Sequence, residues 1–338
     1  MTRKGTIGID IGGTKTLFAL FDEKFNVVEE IKVKTQVERG EKAFTDRLTE
    51  NVETLVEKAR KKGITLLGVG VGCAGFVDRE KGSLKVSPNI PFLKGYPFRT
   101  KISKLTGANV YLANDVQAGL WGEHQLGAAK GRNHVIGIFL GTGIGGAIII
   151  DGRLYLGATG IAGDIGNYLM HPVGAGTGSD REGVLDDIAS RTAIAGEAAT
   201  LAAKQWAPHL LKDAGTDVAK IRSGDLASAI EKGDDRIEEL VKSRARLVGI
   251  ALSNMVDFLN PEMVVLGGGL VEAMPALILK EVRAGIEGSA TAEAREGLEV
   301  VTAKLKGHAV TAGAAKFALD LFVSSQTDLQ PAGSAPRG

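Results

Sequence analysis

The sequence predicts an α/β protein of two related halves, on three observations. Short β-branched segments alternate with longer helical ones along the chain. A strand, a glycine-rich turn and a second strand occur twice, at 6–22 and at 135–150. The length, 338 residues, exceeds that of one ordinary domain.

The elements follow in order. Residues 6–10 and 16–22 read as strands joined by a turn at 11–15, and 27–35, rich in Val and Ile, as a third strand. Phe44, Leu48, Val52, Leu55, Val56 and Ala59 recur at helical spacing and predict a helix over 41–62. The apolar run 66–71 is a strand bounded by Gly72-Cys73-Ala74-Gly75, and 109–112 is a strand ending at Ala113-Asn114-Asp115. The opening pattern then returns: strand 135–140, glycine turn 141–146, strand 147–150. Beyond it, 184–203 reads as a helix. So does 236–259, where Ile237, Leu240, Val241, Leu247, Val248, Ala251, Leu252, Met255 and Val256 make one apolar face before Asn260-Pro261. A strand at 263–266 closes on Gly267-Gly268-Gly269, and 312–322 is a last amphipathic helix. The domains fall at 1–114 and 115–307, the last helix (308–323) packs back on the first domain, and the polar tail 324–338 is expected to be disordered.

Composition narrows the function. Lys plus Arg total 41 against 40 Asp plus Glu, so no basic excess points to nucleic acid or to an anionic membrane. Aromatic residues at 5% are too few for base-stacking platforms. The uncharged run between His134 and Asp151 is shorter than the ~20 apolar residues of a spanning helix. The single cysteine, Cys73, can form no internal disulfide and points to a reducing, cytoplasmic setting. A small molecule is the expected partner. The 46 glycines, many in clusters, mark turns where backbone approaches something closely.

Three of those clusters could carry chemistry. In Asp10-Ile11-Gly12-Gly13-Thr14-Lys15, backbone N–H groups at Gly12 and Gly13 can point at a phosphate, Thr14 adds a hydroxyl and Lys15 a charge. Asp10 at the strand end suits a Mg²⁺ shell, through water. The same residues also make a plain hairpin turn. Gly141, Thr142, Gly143, Gly145 and Gly146 suit a loop around phosphate oxygens; a strand follows, so this is no dinucleotide fingerprint. Gly267, Gly268 and Gly269 would admit the flat face of a nucleoside. Asn114-Asp115 stands at a strand end, where α/β folds place ligands. Asp115 there can take a proton from an attacking hydroxyl, while Asn114 holds a neighbouring one. Asp115 also suits the N-cap of the following helix, and the two roles are compatible.

In this order, Asp10–Lys15, the run Gly72-Cys73-Ala74-Gly75-Phe76-Val77-Asp78, Ala113-Asn114-Asp115, 140–146 and 157–166 resemble the ROK family of sugar kinases and sugar-responsive repressors, its glucokinase-type members most. The resemblance runs from Thr6 to about Phe322. It implies a two-domain actin-like ATPase (ribonuclease H-like) fold with a central cleft. It also implies ATP-dependent phosphoryl transfer to a hexose hydroxyl with Asp115 as base. Asp10 to Lys15 and Gly141 to Gly146 would hold ATP and Mg²⁺, and Gly267–Gly269 the adenosine. Gly75, Asn89, Asn114, Asp115, Asp164, Asn167 and Asp186 would line the sugar site. A homodimer is implied as well.

The chain departs from the family on the sugar side. A Glu-x-Gly-His motif reads Asp164-Ile165-Gly166-Asn167, and a further glutamate is Asp186. No cysteine stands at 177–184, where the family has a zinc loop, so no zinc site is expected. His171 is either a surface residue or a substitute sugar contact, and the segment 172–182 could close on substrate. The rival readings are a kinase for N-acetylmannosamine, fructose or a polyol, polyphosphate as donor, and a sugar-binding member without chemistry. Only residues 1–5 precede the first strand, which leaves no expected helix-turn-helix for a repressor.

Overall fold

β-branched and apolar residues in both halves of the chain pair into two sheets of one strand order. The computed structural model describes residues 3–170 and 183–327. The chain divides into two compact units, Met1–Gly127 with the C-terminal segment from Gly307, and Ala128–Lys306.

The first unit contains β1 (Arg3–Ile11), β2 (Lys15–Asp22), β3 (Val27–Lys34), α1 (Gly40–Lys61), β4 (Ile64–Cys73), β5 (Phe76–Asp78), β6 (Ser83–Val86), α2 (Phe98–Thr106), β7 (Val110–Asn114) and α3 (Asp115–Leu126). Its sheet runs β3-β2-β1-β4-β7, with β1, β4 and β7 parallel and β2 and β3 antiparallel. Ile7, Ile9 and Ile11 of β1 and Val69 and Val71 of β4 are fully buried. The α1 face of Phe44, Leu48, Val52, Leu55 and Ala59 joins them in one core.

The second unit contains β8 (Val135–Leu140), β9 (Ile144–Ile150), β10 (Arg153–Tyr155), α4 (Leu185–Ala189), α5 (Arg191–Ala203), α6 (Pro208–Ala214), α7 (Ser223–Glu231), α8 (Asp235–Leu259), β11 (Met263–Gly267), α9 (Gly269–Ala273), α10 (Pro275–Glu287), α11 (Ala292–Arg295) and β12 (Glu299–Thr302). Its sheet runs β10-β9-β8-β11-β12, again with one parallel trio and one antiparallel pair of edge partners. The repeat visible as two glycine turns is therefore a repeat of the whole sheet: β8 answers to β1, β9 to β2, β11 to β4 and β12 to β7. Helix α8 buries Ile237, Leu240, Val241, Val248, Ala251, Leu252 and Val256 in this unit's core.

The last helix, α12 (Ala309–Thr327), lies on β1 and β4 of the first unit. A Cβ on Gly70 would fall 1.9 Å from the carbonyl oxygen of Ala314, so helix and strand meet backbone to backbone. Trp121 Nε1 of α3 donates to Asp320 Oδ2 of α12 at 3.1 Å.

Several expectations need correction. The boundary after 114 is too early: α3 packs against α12, so 115–127 belongs to the first unit. The glycine turn 141–146 shrinks to 141–143, because Ile144, Gly145 and Gly146 already pair in β9. The helix expected over 184–203 is two, α4 and α5, since Ser190 is extended (ψ 161°) and its side chain accepts from Ala193 N. The tail is helical through Thr327, where disorder was expected from 324; residues 328–338 lie outside the described ones, as do His171 and the segment 172–182.

Candidate functional site

In the first unit, strand register decides which residues meet. Asp10 lies beside Gly72 and Gly72 beside Ala113, and one step on Ile11, Cys73 and Asn114 align. The carboxyl ends of three parallel strands thus deliver Asp10, the 72–75 turn and Asn114-Asp115 to one place, as open α/β sheets do with their ligand sites. Asn114, not Asp115, is the N-cap of α3: its Oδ1 accepts from Val116 N at 2.9 Å and Gln117 N at 3.2 Å. Its Nδ2 donates to Gly75 O at 3.2 Å. Gly75 has φ +128°, and a Cβ there would sit 2.1 Å from Val86 O. Asp115 is then the first helical residue, its Oδ1 accepting from Val116 N at 3.0 Å.

Asp10 and Asp115 influence one another. Burial raises the Asp10 pKa from 3.8 to about 7, the negative charge of Asp115 adds to the rise, and Lys15 opposes it. Burial also raises Asp115, against the Val116 N–H and the Asn114 side chain, which favour its charged form. Two carboxylates held this way make a hard-oxygen site that fits Mg²⁺, which takes one or two carboxylates and completes its shell with water and phosphate. Beside them the 12–14 turn is closed by Gly12 N donating to Lys15 O at 3.0 Å. It is tied to the sheet edge where Thr35 Oγ1 donates to Gly12 O at 2.6 Å. Asn89 lies against this turn, its Cβ 3.4 Å from where a Gly13 Cβ would stand. Asp10, Gly12, Gly13, Thr14, Lys15, Gly75, Asn89, Asn114 and Asp115 thus form one cluster, drawn from residues far apart in sequence.

In the second unit, the 141–143 turn is held from behind. Gly141 N donates to Gly143 O at 2.9 Å, Gly141 O accepts from Arg191 N at 3.0 Å, and Thr142 O accepts from Thr192 Oγ1 at 2.7 Å. Asp186 Oδ1 accepts from Ile144 N. One oxygen of the expected sugar contact therefore anchors the turn. Burial raises the Asp186 pKa; the Ile144 N–H lowers it, and Asp187 and Asp164 push it up. Asp164 in turn accepts from Asn167 Nδ2 at 2.6 Å. The structure so brings Gly141, Thr142, Gly143, Asp164, Asn167 and Asp186 together, with Gly145 already in β9. Gly267 and Gly268 have packing duties: a Cβ on Gly267 would meet the Phe139 ring at 2.7 Å, and one on Gly268 (φ +89°) the Leu140 backbone at 2.5 Å. Gly269 meets only Ser223 Oγ, at 3.3 Å.

Sequence reasoning missed Arg191. The residue is 7% exposed, its Nη1 donates to Ile221 O at 2.9 Å and its Nη2 to Thr142 Oγ1 at 3.4 Å. The signal was present, as an arginine following a serine inside an Ala-rich apolar run. Among the described residues, no three His, Cys, Asp or Glu side chains are grouped as a metal site, and no helix is long and apolar enough to cross a membrane.

Comparison with known proteins bears on both clusters. The sequence profile of the ROK family matches residues 6–321. A glucokinase of Thermotoga maritima is 32% identical over 274 residues, 81% of this chain and 84% of that protein. An N-acetylmannosamine kinase of Citrobacter koseri is 30% identical over 276 residues, 81% of this chain and 87% of its own. The crystal structure of a ROK family glucokinase from Streptomyces griseus, in complex with glucose and AMPPNP, superposes with a TM-score of 0.80 at 30% identity, covering 94% of this chain and 99% of that one. The two-sheet architecture is that of the actin-like ATPase fold these kinases share.

Proposed function

The chain belongs to the ROK family, and from that premise we propose that it transfers the γ-phosphoryl group of ATP to a hydroxyl of a hexose, in the manner of a glucokinase. The observation that carries this reading is the carboxylate pair Asp10 and Asp115 at the ends of parallel strands, next to the 12–14 turn. The glucokinase relatives and the AMPPNP-bound neighbour support both the acceptor and the donor.

Asp115 is the general base. A raised pKa brings a carboxylate nearer the operating pH, where it takes a proton from a hydroxyl more effectively, and such a base contributes ~10²–10⁴-fold. The hydroxyl oxygen attacks the γ-phosphorus in line as Asp115 accepts its proton, the bond from that phosphorus to the β,γ-bridging oxygen breaks, ADP leaves with the bridging oxygen, and the proton passes from Asp115 to water after transfer. Asn114 and Asn89 orient the sugar through their amides, with Gly75 kept free of a side chain. In the second unit, Asp164, Asn167 and Asp186 are the residues that the family resemblance assigns to sugar binding. The N–H groups of the two glycine turns, with Thr14, Thr142 and Lys15, hold the phosphates, and Gly267–Gly269 back the adenosine. Asp10 would hold Mg²⁺ through water, and that ion when bound neutralises charge gathering on the phosphates. A homodimer in the cytoplasm is part of the same reading, resting on the family and on the single cysteine.

The test is a coupled ADP-release assay over glucose, mannose, fructose, N-acetylglucosamine and N-acetylmannosamine. Glucose is expected to give the highest kcat/KM. A tenfold preference for N-acetylmannosamine, whose kinase is also a relative, would reassign the substrate. No ADP release with any of them would overturn the kinase reading.

A further inference from the structure

Arg191 is a nearly buried cation, 7% exposed. Arginine stays charged at any ordinary pH, and a charge removed from water requires a partner of opposite sign or a full set of hydrogen bonds. Among the described residues no carboxylate pairs with it. The charge that acts on it is another cation, Arg222, which together with burial lowers its pKa. Its two bonded partners are oxygens, Ile221 O and Thr142 Oγ1.

The second partner gives this a direction. A hydroxyl has one proton to donate. Thr142 Oγ1 accepts from Arg191, so its own proton must point elsewhere. Thr142 O is bonded to Thr192 and Gly141 O to Arg191 N, which turns the carbonyls of the loop back into the start of α5. Among the described residues no acceptor reaches the N–H of Thr142 or Gly143. Thr142 and Gly143 are exposed. The loop therefore shows solvent a set of donors and keeps its acceptors behind, with the Arg191 guanidinium bonded to its hydroxyl.

We propose that Arg191 is a positioning residue for the phosphoryl donor: it turns the Thr142 hydroxyl proton toward a phosphate oxygen, and the polyphosphate chain of a nucleoside triphosphate is its missing counter-charge. This rests on the ATP reading above and deepens it. Among the described residues, no carboxylate accounts for a charge of this kind held at the base of a glycine turn.

The experiment uses inorganic tripolyphosphate as probe, with calorimetry on the full chain and steady-state kinetics alongside. Arg191→Met is expected to weaken tripolyphosphate and to raise the KM for ATP by the same factor, about 10–100-fold, as for a lost charge-assisted hydrogen bond. The KM for sugar stays unchanged. Thr142→Val, at an exposed position, gives a smaller loss of the same kind, and the double variant loses no more than Arg191→Met alone, because both cut one linkage. Arg191→Lys, which keeps the charge without the fork, falls between. Tripolyphosphate affinity within twofold of the parent in Arg191→Met, strictly additive losses with Thr142→Val, or equal losses for ATP and sugar would each overturn the assignment. Should Arg191→Met fail to fold, Arg191→Lys and Thr142→Val decide it: unchanged tripolyphosphate binding in both overturns the proposal. If the parent protein turns over no sugar, the kinase reading falls, and the tripolyphosphate titrations still judge Arg191.

Discussion

The turn at 12–14 and the turn at 141–143 occupy the same place in sheets of the same strand order, yet the charged side chains brought to them differ. Beside the first stand two carboxyl groups, Asp10 and Asp115, both driven toward the protonated form by burial. Behind the second stands a buried guanidinium, Arg191, with Arg222 next to it. The anchors differ as well. A neutral hydroxyl, Thr35 Oγ1, holds the first turn by its Gly12 carbonyl, whereas a carboxylate, Asp186, holds the second by the Ile144 amide. A duplicated backbone thus supplies two glycine turns at matching places, the ones proposed above to face phosphate. In the proposed reading, the side chains brought in by neighbouring elements give the first turn its proton and metal chemistry and the second its anion binding.

Breaking the carboxylate side should have the largest effect. Asp115→Ala is expected to lower kcat by ~10²–10⁴-fold while sugar affinity, read by calorimetry, stays within a few-fold. Turnover near the parent rate would remove the distinction between the two turns.

The glycines that close β4 and β11 sharpen the comparison on the side where the units agree. Gly75 and Gly268 both have positive φ, and a Cβ on either would strike carbonyl backbone, at Val86 and Leu140. Gly75→Ala and Gly268→Ala should each cost about 3 kcal/mol, measured by urea unfolding. A cost at one and not the other would show that the duplication does not extend to these turns.

The anchors come next. Asp186→Ala leaves the Ile144 N–H without its acceptor in a partly buried place and should destabilise the chain by about 2 kcal/mol.

The last effect is read from its sign with pH. The folded chain holds the Asp10 proton more tightly than the unfolded chain, because its pKa is raised from 3.8 to about 7. Between those values the folded state binds more protons, so this group's contribution to stability falls as pH rises and is lost above 7. Asp10→Asn escapes the penalty. It should match the parent near pH 4 and exceed it by a margin that grows up to about pH 7 and levels off above it, in thermal unfolding without metal. The reverse trend would mean Asp10 is stabilised as a carboxylate, like an ordinary ion-paired acid.

Much of this was legible in the sequence, for reasons that also explain the misses. Strands β4, β8 and β11 announce themselves because both faces are largely buried and the runs are mostly apolar, and β1 and β2 because their central residues are buried on both faces. Helices α1 and α8 do so because one face alone is. The break at Ser190 was hidden because the apolar pattern of α4 runs on into α5; only the cap bond to Ala193 interrupts it. That same break puts Arg191 N against Gly141 O, so missing the one meant missing the other. The hairpin of β5 and β6 and the strand β12 are short, and β12 is half-exposed, which leaves little period to read. Gly145 and Gly146 look like turn residues, but they pair with Phe139 and Ile138 of β8, and Gly146 has no side chain because the Gly163 carbonyl approaches it; a Cβ would stand 2.3 Å from that oxygen. Asp115 was legible as an acid at a strand end. Its pairing with Asp10 was not, since that depends on the register of β1, β4 and β7.

That pairing is also the most direct thing to measure. Carbon-13 carboxyl titration by NMR, with Asp10 assigned through the Asp10→Asn variant, should place its midpoint near 7 in the metal-free parent and lower in Asp115→Asn, where the neighbouring charge is gone. A midpoint in the ordinary aspartate range, about 3.9, unmoved by that substitution, would contradict the account.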